Sequence, residues 1–260
     1  MKKLILLFII LYPFSANSLE KTKFISNWIK TYVDQMPSKA QSLVIGISGG
    51  IDSSVSSTLS AMTGIKTIVL TMPIRQKDNQ HDLSLKHQEW LVKNFKNVEA
   101  HTINLDKLFK TFESTLSNFD NEHGMANSRA RIRMTTLYQV AAANKGIVVG
   151  TGNKVEDFGV GFYTKYGDGG VDISPIADCN KSDVWEIGKS LNILNEIIEA
   201  PPTDGLWDDG RTDEGQLGLK YEELEEAMNN PKSINREKYE KIRNMNLHKM
   251  EPIPVCKIPN

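Results

Sequence analysis

Apolar residues along this chain follow two rhythms. Short runs that are apolar almost without interruption alternate with longer stretches where apolar residues return every three or four positions. SLVIGIS (42–48), KTIVLTMP (66–73) and GIVVGTG (146–152) have the β-branched, two-sided hydrophobicity of strands buried on both faces. NVEAHTINL (97–105) alternates and reads as a further strand. Between and after these, 53–62, 81–95, 106–117 and 126–144 carry helical spacing. Phe24, Trp28 and Tyr32 mark an amphipathic helix over Lys21–Gln35, closed by Pro37. Strand and helix in regular alternation predict an α/β fold, a doubly wound, Rossmann-like parallel sheet with helices on both faces.

The rhythm breaks at Phe162. FYTKYGDGGVDISP (162–175) and APPTDGLWDDGRTDEGQLG (200–218) are polar, glycine-rich and too long for simple connections, so they read as loops that either close over a ligand or are disordered. Tyr221–Met228 and Asn235–Met245 finish the chain as helices. No linker divides it, and one domain is expected over 21–260. Residues 1–20 stand apart. MKKLILLFIILYPFSANS has a dilysine start, an apolar run from Leu4 to Leu11 and small residues at export-cleavage spacing, a signal-peptide pattern too short to span a bilayer as a settled helix.

Composition narrows the function. The chain carries 31 basic against 32 acidic residues, without the basic excess of a nucleic-acid or membrane-surface protein. Cys179 and Cys256 lie far apart, with neither a CxxC nor a histidine pair beside them, so they read as two reduced thiols.

The chemistry sits where the first buried strand ends, in VIGISGGIDSS (44–54). Glycines between a strand and a helix let backbone approach a phosphate, and the N–H groups of the helix start bind the anion. No lysine follows Gly50, so this is not a Walker loop, and the GxGxxG dinucleotide fingerprint is also missing. Asp52 would repel a phosphate unless a divalent cation lay between them. Mg²⁺, which takes one or two carboxylates plus phosphate oxygens, fits that place. The loop therefore reads as a cradle for a leaving pyrophosphate.

SGGxDS resembles the pyrophosphate loop of the N-type ATP pyrophosphatases. The blocks NSRARIRM (127–134), VVGTGNKVED (148–157), GFYTKYGDGGVDISP (161–175), APPTDGLW (200–207), TDEGQLGLKYEEL (212–224) and His248-Lys249 together resemble the NAD synthetase family, from about residue 22 onward. The resemblance implies an adenine nucleotide alpha hydrolase-like fold and a homodimeric, ammonia-dependent ligase. ATP would adenylate the nicotinate carboxylate of deamido-NAD, and ammonia would then displace AMP. It also implies roles. Gly46, Ile47, Ser48, Gly49, Gly50, Ile51, Asp52 and Ser53 would hold ATP, with Thr151, Lys181 and Thr203. Arg131, Lys165, Asp172, His248 and Lys249 would hold deamido-NAD, and Asp52 and Glu156 would hold Mg²⁺. No covalent protein nucleophile is implied. With the motifs starting near residue 44, no glutamine-hydrolysing domain is expected beside them.

By residue type alone, Arg131 shares its helix with Arg129 and Arg133 and reads as an ordinary solvated face, while Glu156 and Asp157 read first as a helix cap or flank. Between Thr151 and Gly161 the chain carries one residue more than many family members. Counting forward from Thr151 selects Glu156 for the metal, and counting back from Gly161 selects Asp157. Other readings of the loop are a GMP synthetase, a tRNA thiolase or a non-catalytic ATP sensor. An enzyme that uses ATP and Mg²⁺ is expected in the cytoplasm without stable membrane association or nucleic-acid partner. The leader is accordingly expected to be a start-site artefact, with translation beginning near Leu19.

Overall fold

The computed structural model describes residues 14–75, 78–203, 205–207 and 211–258. Four strands, β1 (Ser42–Gly46), β2 (Lys66–Thr71), β3 (Val98–Thr102) and β4 (Gly146–Val148), form one parallel sheet in the order β3-β2-β1-β4. Val44 of β1 pairs with Ile68 of β2 on one side and Val148 of β4 on the other. The helices are α1 (Phe14–Gln35), α2 (Ile51–Met62), α3 (Asp78–Asn94), α4 (Asp106–Thr115), α5 (Glu122–Ala143), α6 (Lys181–Ser190), α7 (Asn195–Ile198), α8 (Asp213–Leu217), α9 (Tyr221–Asn229) and α10 (Arg236–Met250). A π-helix, Lys154–Val160, follows β4.

Both faces of the sheet are covered, as the uninterrupted apolar runs require. Leu43, Ile45, Val69 and Ile147 point into one layer with residues of α1, α2 and α6. Their neighbours Val44, Ile68, Leu70 and Val148 point into the other, against Phe109 of α4 and Ala141 of α5. β3 forms the edge and is the more exposed strand, which accounts for its alternating pattern. There Glu99 pairs with Lys66 and His101 at the surface, a charged edge that discourages pairing with another chain.

Strand order also fixes where a ligand belongs. From β1 the chain moves outward through β2 to β3, then α5 returns it to the opposite side of β1 to form β4. The order reverses between β1 and β4, and in open α/β sheets the binding crevice opens at the carboxyl ends of the strands at such a point.

Helix α1 departs from its sequence reading in two ways. Its core-facing stripe is Ile25, Ile29 and Val33, while Phe24, Trp28 and Tyr32 are exposed. The aliphatic stripe packs into the layer shared with α6, and the aromatic stripe lies beside it on the solvent side. The helix also begins at Phe14, before Lys21. Ser18 is buried, with its hydroxyl 3.5 Å from Glu186 Oε2, and Lys21 Nζ donates to Asp183 Oδ1 at 2.5 Å, so this turn is fastened to α6. The rest of the leader, 1–13, lies outside the described residues. Among the described residues, no helix is long and apolar enough to cross a membrane.

Beyond the sheet, the π-helix packs with α9 and α10 around Val155, Val160, Leu217, Leu224 and Tyr239, a smaller core at the far side of the crevice.

Candidate active site

A cavity of about 310 Å³ opens at the switch point. Every residue from Gly46 to Ser53 lines it, together with Thr151, Glu156, Lys181 and Thr203. Thus the residues expected at ATP and metal converge on one space, although they come from three widely separated parts of the sequence.

The loop after β1 owes its shape to glycine and serine. Gly49 has φ +92, a conformation costly for residues with a Cβ. Ser48 Oγ and Ser53 Oγ lie 3.1 Å apart, the Ser48 N–H donates to Ser53 Oγ, and the Gly50 N–H donates to Ser48 Oγ. Ser53 and Ser54 hydroxyls donate back to the Gly50 carbonyl. Gly50 caps α2 without a side-chain hydrogen bond, so the first amides of α2 keep the open N-terminus that binds anions.

At the base of the cavity Lys181 Nζ stands 2.5 Å from Asp52 Oδ2 and 2.9 Å from Glu156 Oε1, with the lysine side chain 1 % exposed. Lys181 is the first residue of α6, and Asp52 lies in the first turn of α2. Glu156 is in the first turn of the π-helix, whose cap Asn153 has a buried side chain with two duties. Its Oδ1 accepts the N–H groups of Val155 and Glu156, while Nδ2 donates to Asp52 Oδ1 at 3.0 Å. One amide therefore caps the segment carrying Glu156 and orients Asp52. Tyr221 Oη donates to Glu156 Oε1 at 2.5 Å and lies 3.2 Å from Asp213 Oδ2.

Burial raises the Asp52 carboxyl above its ordinary range, with Glu156 adding to the shift and Lys181 opposing it. Burial acts on Glu156 in the same direction, but there the Lys181 ammonium and the Tyr221 hydroxyl win and hold it below its ordinary value. Burial works against the Lys181 charge, and the two carboxylates more than restore it, so the ammonium stays protonated. Burial and the nearby carboxylates push Tyr221 far upward, which keeps its hydroxyl a donor. Burial, then Glu156, Asp168 and Asp52, drives Asp157 well up.

Between Thr151 and Gly161 the backbone forms a π-helix over Lys154–Val160. A π-helix takes about one residue more per turn than an α-helix. Glu156 lies in its first turn, its N–H held by the cap Asn153, and Gly161 closes the helix at φ +66. It is Glu156 that shares Lys181 with Asp52; Asp157 also lines the cavity, near Asp168.

The residues expected at deamido-NAD lie elsewhere. Arg131 Nε donates to the Lys165 carbonyl, Lys165 Nζ to the His248 carbonyl, and Lys249 Nζ to the carbonyls of Gly161 and Tyr163. Arg131, Lys165 and His248 form one chain of contacts, and Lys249 holds the neighbouring loop separately. Asp172 stands apart, accepting from the Val148 N–H at 2.7 Å and from Tyr138 Oη at 3.1 Å. None of the five lines the cavity, whereas Arg133, two positions from Arg131, does. Asn153, Asp213 and Tyr221 were also missed. Asn153 had a usable signal, since asparagine just ahead of a helical stretch is a cap. Nothing local marks Tyr221 as the buried partner of Glu156, far away in sequence, or Asp213 as a buried neighbour of the Tyr221 hydroxyl.

A doubly wound sheet with a phosphate loop at its switch point, and paired carboxylates below it, defines a nucleotide-binding α/β domain of the kind that cleaves ATP. Comparison with known proteins makes this specific. The sequence profile of the NAD synthase family matches residues 21–257, and the chain belongs to that family of ATP-using, ammonia-dependent ligases. It is 35 % identical over 212 residues to the NH(3)-dependent NAD(+) synthetase of Carboxydothermus hydrogenoformans, covering 79 % of this chain and 83 % of the relative. With the enzyme of the same name from Alkaliphilus metalliredigens it shares 34 % identity over 249 residues, 90 % of this chain and 97 % of the relative. Among solved structures, the NMN synthetase of Francisella tularensis superposes with a TM-score of 0.83 at 32 % identity, covering 94 % of this chain and 98 % of that one.

Proposed function

We propose that the chain amidates the nicotinate carboxylate of deamido-NAD. The carboxylate oxygen attacks the α-phosphorus of ATP and pyrophosphate leaves. Ammonia then attacks the acyl carbon of the adenylate, expelling AMP and losing a proton, to give NAD. The observation that carries this reading is the Asp52–Lys181–Glu156 cluster directly below an open helix N-terminus, at the place where strand order reverses.

The parts divide the work by charge. Ser48, Gly49, Gly50 and the first amides of α2 form the cradle for the β- and γ-phosphates. Lys181, buried and fully charged, follows the negative charge that builds on the departing pyrophosphate. Asp52 and Glu156 would hold Mg²⁺, which when bound neutralises phosphate charge. Among the described residues no three histidine, cysteine, aspartate or glutamate side chains group as an all-protein metal cage. Two carboxylates completed by phosphate and water are an ordinary environment for Mg²⁺. A cytoplasmic homodimer is the assembly in which we expect this enzyme to work; light scattering of the purified protein tests the dimer.

A second reading concerns the size of the substrate. The NMN synthetase of Francisella tularensis is similar over nearly its whole length, and Arg131, Lys165, Asp172, His248 and Lys249 all lie outside the cavity. Both features favour nicotinate mononucleotide, which needs no site for a second nucleotide. Parallel incubations with ATP, Mg²⁺, ammonium and either substrate decide between them by the ratio of kcat/KM. AMP formation with neither substrate defeats both readings.

A further inference from the structure

Tyr221 is the first residue of α9, 1 % exposed, and no part of the expected ATP, metal or nucleotide contacts. Its ring is fixed on several sides. Trp185 meets it edge-on at 6.0 Å, Lys181 Nζ lies 4.8 Å from its centroid, and its N–H is held by Glu214 Oε1 at 3.1 Å. A tyrosine held this way has one feature that packing does not explain: its hydroxyl reaches across to Glu156 Oε1, with Asp213 Oδ2 on its other side.

Lys181 donates to that same Oε1, so neither donor engages Oε2. The two donors differ in kind. Lys181 is a long, jointed side chain, and were the reaction to draw it toward phosphate, Glu156 would lose its ammonium partner. Tyr221 has a rigid ring wedged in the small core of α9 and α10 and cannot follow. Resting on the reading of Glu156 as a metal carboxylate, we infer that Tyr221 is a positioning residue that holds Glu156 in its ligating orientation once Lys181 has turned to the nucleotide. Groups that orient a metal carboxylate through a hydrogen bond typically change metal affinity by roughly tenfold to a hundredfold when removed.

The test is Mn²⁺ binding, followed by electron paramagnetic resonance in the presence of a non-hydrolysable ATP analogue, on wild type, Tyr221→Phe and Glu156→Gln. Tyr221→Phe keeps the ring and removes only the hydroxyl. The expected result is Mn²⁺ binding weakened by roughly tenfold or more in both variants. The amidation rate of Tyr221→Phe should recover at high Mn²⁺ concentration, while its kcat at saturating metal stays close to wild type. A merely structural tyrosine would lower the urea midpoint and leave the Mn²⁺ midpoint where it was, which overturns the inference. If Glu156→Gln weakens binding and Tyr221→Phe does not, the inference fails and the metal reading stands. If neither variant moves the Mn²⁺ midpoint, Glu156 is not a metal carboxylate and both fall.

Discussion

Replacing Lys181 by Met keeps the length and apolar stem of the side chain and deletes its charge. The lysine side chain is 1 % exposed, and Asp52 and Glu156 are 19 % and 15 % exposed, so two nearly buried carboxylates lose their shared cation. Removing one partner of a buried ion pair costs about 3–5 kcal/mol. The residual solvent contact of the carboxylates argues for the lower end, about 3 kcal/mol, or a fall in Tm of roughly 6–12 °C for a chain of this size. The pH dependence gives the stronger test. In the wild type Lys181 holds Glu156 below its ordinary pKa, so that group contributes stability above its unfolded pKa and loses it as pH falls. In Lys181→Met the largest opposing influence is gone, so burial outweighs the remaining Tyr221 and Asn153 hydrogen bonds and raises both carboxyls above their unfolded values. Their contribution is then present at low pH and disappears as pH rises through the folded pKa. Urea unfolding at pH 8 and at pH 5 should therefore show a large gap between the two proteins that narrows on acidification. A gap below ~1 kcal/mol at pH 8, or one that does not change with pH, would refute the view of Lys181 as the counter-charge of this pair.

Three further outcomes are open to direct measurement. Asn153→Asp keeps the cap on the π-helix but turns an oxygen toward Asp52 Oδ1, and should lower stability by about 1–3 kcal/mol at pH 8 in urea unfolding; an unchanged midpoint would mean that the Asn153–Asp52 contact is dispensable. Gly49→Ala must place a Cβ at φ +92, strain worth roughly 1–2 kcal/mol, and should weaken ATP binding by calorimetry more than it lowers Tm. Iodoacetamide at pH 8 should label exposed Cys256 and spare buried Cys179, whose thiol burial pushes up to about 11; peptide mapping that finds Cys179 labelled in native protein contradicts this.

Much of this molecule is legible in its sequence because the relevant physics is local. Strands buried on both faces must be apolar at every position, so β1, β2 and β4 stood out, and the loop after β1 announced itself through SGG and an acid beside it. Helix α1 was harder. Two adjacent stripes, Ile25-Ile29-Val33 and Phe24-Trp28-Tyr32, both have helical spacing, and only packing against α6 decides which is inside. Counting residues leaves Glu156 and Asp157 equivalent, and only the folded backbone shows that Glu156 is the one that shares Lys181 with Asp52. Tyr221 and Asp213 were invisible for another reason. Tyr221 reaches Glu156, 65 residues away in sequence, and Asp213 joins them only through the Tyr221 hydroxyl; a buried hydroxyl bond across that span leaves no periodic trace. The expectation that Arg131, Lys165, Asp172, His248 and Lys249 hold a nucleotide rests on resemblance, and their place outside the cavity could be learned only from the folded chain.

The most direct measurement is a single-pot reaction of the purified chain with ATP, Mg²⁺ and ammonium, with deamido-NAD or nicotinate mononucleotide added separately. AMP, pyrophosphate and amidated product should form in equal amounts with at least one of the two carboxylates, and not without it. ADP and inorganic phosphate, or AMP without amide, would contradict the assignment of the 44–54 loop and the Asp52–Glu156 pair to an amide-forming cleavage between the α and β phosphates.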